Sequence, residues 1–431
     1  MYCILLLGYP STNTSKQVRP TRRWCISQRC VIRKVPEPTL FLYTHTRPFP
    51  TVEKPLFEVS DFYRDRFAPH FHRTLELLPI PATNHLVMPP QFDVTPEKEG
   101  SISNFFYRQL SFTPDVVSGV SLAGKTAIVT GSNTGIGLEV SRQFLDLGVG
   151  RLILAVRNED KGKAAAAGLS VGRDLKGSSI EVWKLDLDSY ESVVAFADRA
   201  ETLDRLDIAV LNAALVLTKH ELNENTGHDE TIQVNYLSTA LLMALLVPVA
   251  KAKRANQDGP TRITLTSSDV CAWTSFKEKK SVPLFPEFDK PGNVNLADRM
   301  MVSKLLGQFF LAELAKRVPS SVAVINCATP GMVHDSEFNR QVDLTLAGKI
   351  AKVFMRRIGY TSPVGARHIT DAAVKHGEET HGQYLSTQKL KPMAPIIYTD
   401  EGKKISEQLW KETMAELSFA KIEDLINEMS K

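Results

Sequence analysis

From Lys125 onward, six short β-branched runs, TAIVT, RLILAVR, SIEVWKLDL, DIAVLNAA, TRITLTSS and SVAVINCATPG, alternate with segments of helical period. Runs so uniformly apolar fit strands buried on both faces, which requires a parallel sheet with crossover helices on either side. The pattern predicts one doubly wound α/β domain over residues 121–431. GQYLS at 382–386 reads as a further strand, and KKISEQLWKETMAELSFAKIEDLI at 403–426 as one long closing helix. The longest apolar run, Leu237 to Ala250, is too short to span a bilayer and is interrupted by Pro248, so it reads as a buried helix. No membrane span is expected.

The charge is unevenly placed. Residues 1–87 carry 12 Lys/Arg against 6 Asp/Glu, leaving 40 against 42 for residues 88–431. The body therefore lacks the clustered positive face that nucleic acid demands. The first 87 residues also hold 10 of the 24 prolines and show no sustained period, so no packed domain is readable there. Two readings compete: a disordered or spurious extension with the true start at Met88, or a basic, acid-free mitochondrial presequence. The first places the protein in the cytoplasm, the second in the mitochondrion. Residues 88–120 then form a lead-in. Only Cys271 and Cys327 fall in the body, too few for a disulfide framework. His70 and His72 have no further ligands at zinc spacing, so no metal site is expected.

The first strand runs into a glycine corner, TGSNTGIG, and then a helix. Gly131, Gly135 and Gly137 permit a tight turn, close approach of backbone to a pyrophosphate, and packing of helix on sheet. Ser132, Asn133 and Ile136 complete the corner. The spacing is G-x-x-x-G-x-G rather than the commoner G-x-G-x-x-G. Many strand-to-helix corners need glycine, and with the alternating strands this one fits a Rossmann fold. Arg157 closes the second strand, where an acid would hold the ribose of NAD; an arginine there can fork onto a 2′-phosphate, which favours NADP.

TGSNTGIG, LDLDS, LNAAL, QVNYLS, LTSSDV and TPGMV occur in that order, and together they resemble the short-chain dehydrogenase/reductase family, in the retinol-dehydrogenase-like form common among fungi. The resemblance covers about residues 120–340. It implies a dinucleotide cofactor, with Asp186 and Leu187 at the adenine, Asn212 after the fourth strand, and Pro330, Gly331 and Val333 near the nicotinamide. It further implies carbonyl–alcohol interconversion on a small-molecule substrate, a setting in fungal secondary metabolism, and a pairing of long helices compatible with a homodimer. In the family a serine polarises the carbonyl, an asparagine positions a water, and a lysine serves a tyrosine that exchanges the proton. Ser268 fits the serine, with Ser267 beside it as the alternative. Asn235 and Lys304 retain their identities.

The tyrosine does not. Four residues ahead of Lys304, on the same helical face, stands Met300, a thioether that donates no proton. The chain therefore reads either as an oxidoreductase with an altered proton supply or as a catalytically impaired NADP-binding protein with a regulatory or partner-binding role. Residues 274–298 read as a loop over the substrate site. Its Phe276, Phe285 and Phe288 either favour an apolar substrate or pin the loop to the body. Cys271 reads as a small buried thiol. Asp335 and Ser336 stand where the family has a later threonine.

Overall fold

The computed structural model describes residues 92–292, 294–339 and 343–430; the extension over 1–87, the proposed start at Met88, and His70 and His72 lie outside them. Eight strands form one sheet: β1 Thr126–Thr130, β2 Arg151–Val156, β3 Ser179–Lys184, β4 Ile208–Leu211, β5 Thr261–Thr266, β6 Ala323–Ala328, β7 Tyr384–Ser386 and β8 Lys389–Lys391. Their order is β3-β2-β1-β4-β5-β6-β7-β8, with every pair parallel except the last. Order reverses between β1 and β4, so the crevice beyond their carboxyl ends is the expected ligand site of such a sheet.

The main helices are α1 Ile102–Ser111, α2 Gly135–Asp146, α3 Glu159–Ser170, α4 Tyr190–Glu201, α5 Ser238–Lys253, α6 Leu296–Ala315, α7 Leu346–Ile358, α8 Ser362–Val374, α9 Asp400–Glu416 and α10 Ile422–Asn427. Alternate residues of each strand feed two cores. Ile128, Ile153, Ala209 and Ile263 face α4, α5 and α6; Ala127, Val129, Leu152 and Val210 face α2 and α8. The unbroken apolar runs thus follow from a sheet covered on both sides.

Two expectations are corrected. Pro248 does not interrupt its helix: α5 passes through it, within a continuous helical run, Glu230–Asn256, that is long and apolar enough to cross a bilayer but whose most apolar stretch is 89% buried inside the protein. The long closing helix is two, because Leu417–Lys421 turns with Lys421 left-handed at φ 51° and folds α10 back against α5. On the outer layer, α10 packs on α5 and α9 packs on α6. Trp410 of α9 stacks on Phe310 of α6 at 5.6 Å.

Candidate active site

Several strand ends converge on one open cavity of ≈ 640 Å³. Its floor begins at the glycine corner. Gly131 (φ +63°) and Gly135 (φ +56°) adopt left-handed backbone that other residues rarely take. At Gly137 a Cβ would meet the Gly131 carbonyl and lie 2.6 Å from Asn212 Nδ2, so helix α2 could not sit so close to β4 with any other residue. Thr134 caps α2 without a side-chain hydrogen bond, which leaves the helix N-terminus to an external anion. Asn133, Thr134 and Ile136 line the cavity beside Gly131, whereas Ser132, Gly135 and Gly137 do not. Ser132 is fully buried, with its Oγ unpartnered.

Thr130 holds the opposite lip. Its Oγ1 accepts from the N–H groups of Asn212 and Ala213, both at 2.9 Å, and its carbonyl accepts from Asn212 Nδ2 at 3.1 Å. Asn212 is thereby locked at the end of β4. At the adenosine end, Arg157, Asp186 and Leu187 line the cavity as expected. Arg157 Nη1 donates to Asp188 Oδ2 at 2.9 Å, while its side chain stays 55% exposed. Glu230 stands nearby, its carboxyl raised to about 7 by burial, against an Asn223 hydrogen bond and with the Asp188 charge adding to the rise.

At the reactive end, Met300, Lys304, Ser267 and Ser268 line the same wall. Lys304 is buried, and its Nζ donates to the Thr266 carbonyl at 2.9 Å. Burial pushes its ammonium down to about 8. Ser267 Oγ accepts from Gln308 Nε2 at 3.1 Å and lies 3.6 Å from Cys271 Sγ; it is committed to the core. Ser268 Oγ takes only a long bond, 3.4 Å, from the Val270 N–H, so its own proton is free to point into the cavity. Cys271 is buried, with desolvation raising its thiol to about 11, as an inert small residue would show.

Asn235 lies just before α5 in the chain. It sits in a π turn, Gln233–Leu237, and does not line the cavity. Its Oδ1 accepts from Leu215 N–H at 2.8 Å; its Nδ2 donates to Leu215 O at 3.0 Å and Ser303 Oγ at 3.1 Å. The side chain fastens the Leu215 segment of the wall to α6. The loop at 274–298 departs from expectation, because none of its residues lines the cavity. Phe276, Phe285 and Phe288 are core residues, Phe276 stacks on Phe288, and the Arg299 guanidinium lies 4.6 Å over the Phe288 ring. They pin the segment to the body and say nothing of the substrate.

Pro330, Gly331 and Val333 line the cavity, and a Cβ on Gly331 would strike Gln109 Oε1 at 2.9 Å. Ser336 lines it too, beside Gly135. Asp335 instead accepts from Ser362 N–H and Oγ at the start of α8, both at 2.7 Å.

One wall was not read from sequence at all. Helix α1, in the lead-in, contributes Phe105, which packs edge-on against Trp273 at 5.0 Å. Arg108 bridges Glu99 (2.8 Å) and Asp269 (2.6 Å), and Asp269 also accepts from Thr329 Oγ1 at 2.6 Å. Gln109 Oε1 accepts from Met332 N–H at 2.9 Å. The only sequence signal was the amphipathic spacing of Phe105 and Gln109 on one helical face. Among the described residues no group of acids, cysteines and histidines is placed to hold a metal.

A glycine corner at a strand-order reversal, with a serine and a buried lysine at the far end of one cleft, defines an oxidoreductase of the dinucleotide-binding α/β class. Residues 125–275 match the family model described as short chain dehydrogenase. The chain is 46% identical over 346 residues to short-chain dehydrogenase fogG of Aspergillus ruber, covering 79% of this chain and 99% of that one. It is 37% identical over 334 residues to short chain dehydrogenase virL of Hypocrea virens, covering 77% and 96%. Among solved structures, the Pseudomonas aeruginosa RhlG/NADP active-site complex is similar at 22% identity and TM-score 0.47, over 64% of this chain and 96% of that one. The chain belongs to the short-chain dehydrogenase family.

Proposed function

We propose that this protein binds NADP and reduces a small apolar carbonyl compound, slowly, because Met300 has removed the usual proton donor. Fungal relatives named as short-chain dehydrogenases support a setting in secondary metabolism. The observation that carries the reading is the joint lining of one cavity by Ser268, Lys304 and Met300 at one end and Arg157 at the other. The free N-terminus of α2 and the crowded glycine corner fit a pyrophosphate, and Arg157 fits a 2′-phosphate beyond it. Phe105, Trp273, Met332, Phe338 and Met355 make the substrate end apolar.

The reduced nicotinamide supplies the hydride when bound. The chain's own part is to hold the carbonyl carbon against it, to polarise the oxygen through Ser268 Oγ–H, and to provide a proton. Met300 cannot do the last. Lys304 keeps ammonium protons beyond the one given to Thr266 O, and a water held by it is the remaining route. Turnover of NADPH with a panel of apolar aldehydes and ketones tests the reading. A protein that binds NADPH and turns over none of them is instead the impaired, non-catalytic member that Met300 equally favours.

Two results follow. Replacing Arg157 by Ala weakens NADPH binding by ~1.5 to 3 kcal/mol, the range for hydrogen bonds to a charged group, and leaves NADH nearly unchanged. Titration by fluorescence measures both constants, and equal losses would show that Arg157 only braces Asp188. Residual reduction also depends on pH. A lysine whose ammonium titrates near 8 holds its proton below that value, so the rate is level on the acid side and declines as pH rises through about 8. A rate that stays level above 8 removes Lys304 from the proton route.

A further inference from the structure

Helix α7 lies over the apolar end of the cavity with one broad apolar face, of which only the inner edge is buried. The inner face carries Ala351 and Met355, both buried, with Met355 lining the cavity. The outer face carries Ile350 and Val353, each 62% exposed, together with Phe354, and Leu344 is exposed just ahead of the helix. Lys349, Arg356 and Arg357 are exposed on the same helix, which contains no acidic residue; Lys352 is paired with Asp343. The C-terminal end of α7 meets α1, where Gln109 Nε2 donates to the Ile358 carbonyl at 3.1 Å. On α1 itself, Tyr107 and Leu110 are exposed as well. Apolar side chains clustered in this way on a surface otherwise free to be polar mark a contact face.

The charge pattern selects the occupant. An amphipathic helix with bulky aliphatics and an aromatic on one side, flanked by arginine and lysine, has the composition of helices that lie in the headgroup region of a bilayer. A second copy of this chain is a poor fit, because a twofold contact through α7 would set like cations against each other. We propose that the outer face of α7 docks the protein on an anionic lipid surface. Docked in this way, the helix lies between bilayer and cavity, and Phe105, Met355 and Phe338 receive their substrate from the side where apolar molecules accumulate. The proposal stands on surface residues and does not depend on whether the Met300 form turns over.

The test is co-sedimentation of the full chain with vesicles of phosphatidylcholine alone and with an equal share of phosphatidylserine. Binding is expected only with phosphatidylserine and is expected to fall with salt. Because the N-terminal 87 residues are basic as well, two variants assign the binding to α7. Val353→Asp with Phe354→Asp is expected to abolish it. Lys349→Gln, Arg356→Gln and Arg357→Gln together are expected to weaken it on the order of a hundredfold, at roughly fivefold for each cation near a charged surface. All five side chains are exposed, so the melting temperature of both variants should match the parent. Unchanged vesicle binding by either variant overturns the proposal. So does equal binding to both lipids, or a concentration-dependent dimer that these substitutions dissolve in place of any lipid binding.

Discussion

Met300→Tyr is expected to raise carbonyl reduction by at least roughly a hundredfold, the lower end of what positioned proton transfer contributes. The helix already presents residue 300 to the cavity one turn before Lys304, so the phenol would arrive beside the ammonium that lowers its pKa. Nothing need be rebuilt around it. Met300 is only half-buried and borders open space, so the larger ring meets no packed neighbour across the cleft. The gain should appear in kcat with little change in the dissociation constant for NADPH, since a thioether offers the dinucleotide no hydrogen bond that the substitution would remove. A parent enzyme already running at an ordinary rate, with no gain from tyrosine, would show that another group delivers the proton.

Trp410→Ala should cost about 3–5 kcal/mol of unfolding free energy, the range for truncating a large buried aromatic. The ring stacks on Phe310 at 5.6 Å and lies under the Arg317 guanidinium at 3.9 Å, so the variant loses stacking and cation–π contacts together with the area. It is also part of the contact that α9 makes with α6, the helix that carries Lys304. Denaturant titration of the apo protein measures the loss as a lower midpoint at unchanged slope. A loss below about 1 kcal/mol would mean that α9 merely rests on the surface and the long helices are stable without it.

The strands and the glycine corner were legible because local chemistry decides them: β-branched runs between turns, and glycines that tolerate left-handed backbone. Met300 and Lys304 were legible because a single helical step relates them. What escaped depended on partners distant in sequence. Nothing near Phe276 says whether its ring turns to the substrate or to Phe288, and burial settled it for the core. Asn235 kept its identity, yet its amide is spent on Leu215 and Ser303, a choice made by the π turn and visible only in three dimensions. Pro248 forfeits one helical hydrogen bond, and the packing of α5 on all sides outweighs that loss.

The clasp of α1 also sets the order in which the protein can be completed during its own synthesis. Arg108 waits for Asp269, 161 residues later, and Gln109 waits for Ile358, 249 residues later. The sheet around β1, β2 and β4 has its partners much sooner. On a growing chain, therefore, one wall of the catalytic cleft leaves the ribosome among the first described segments and finds its seat among the last. Until that seat is made, Phe105 and its neighbours stay exposed, and translation must run nearly to the end before the cleft exists in its finished form.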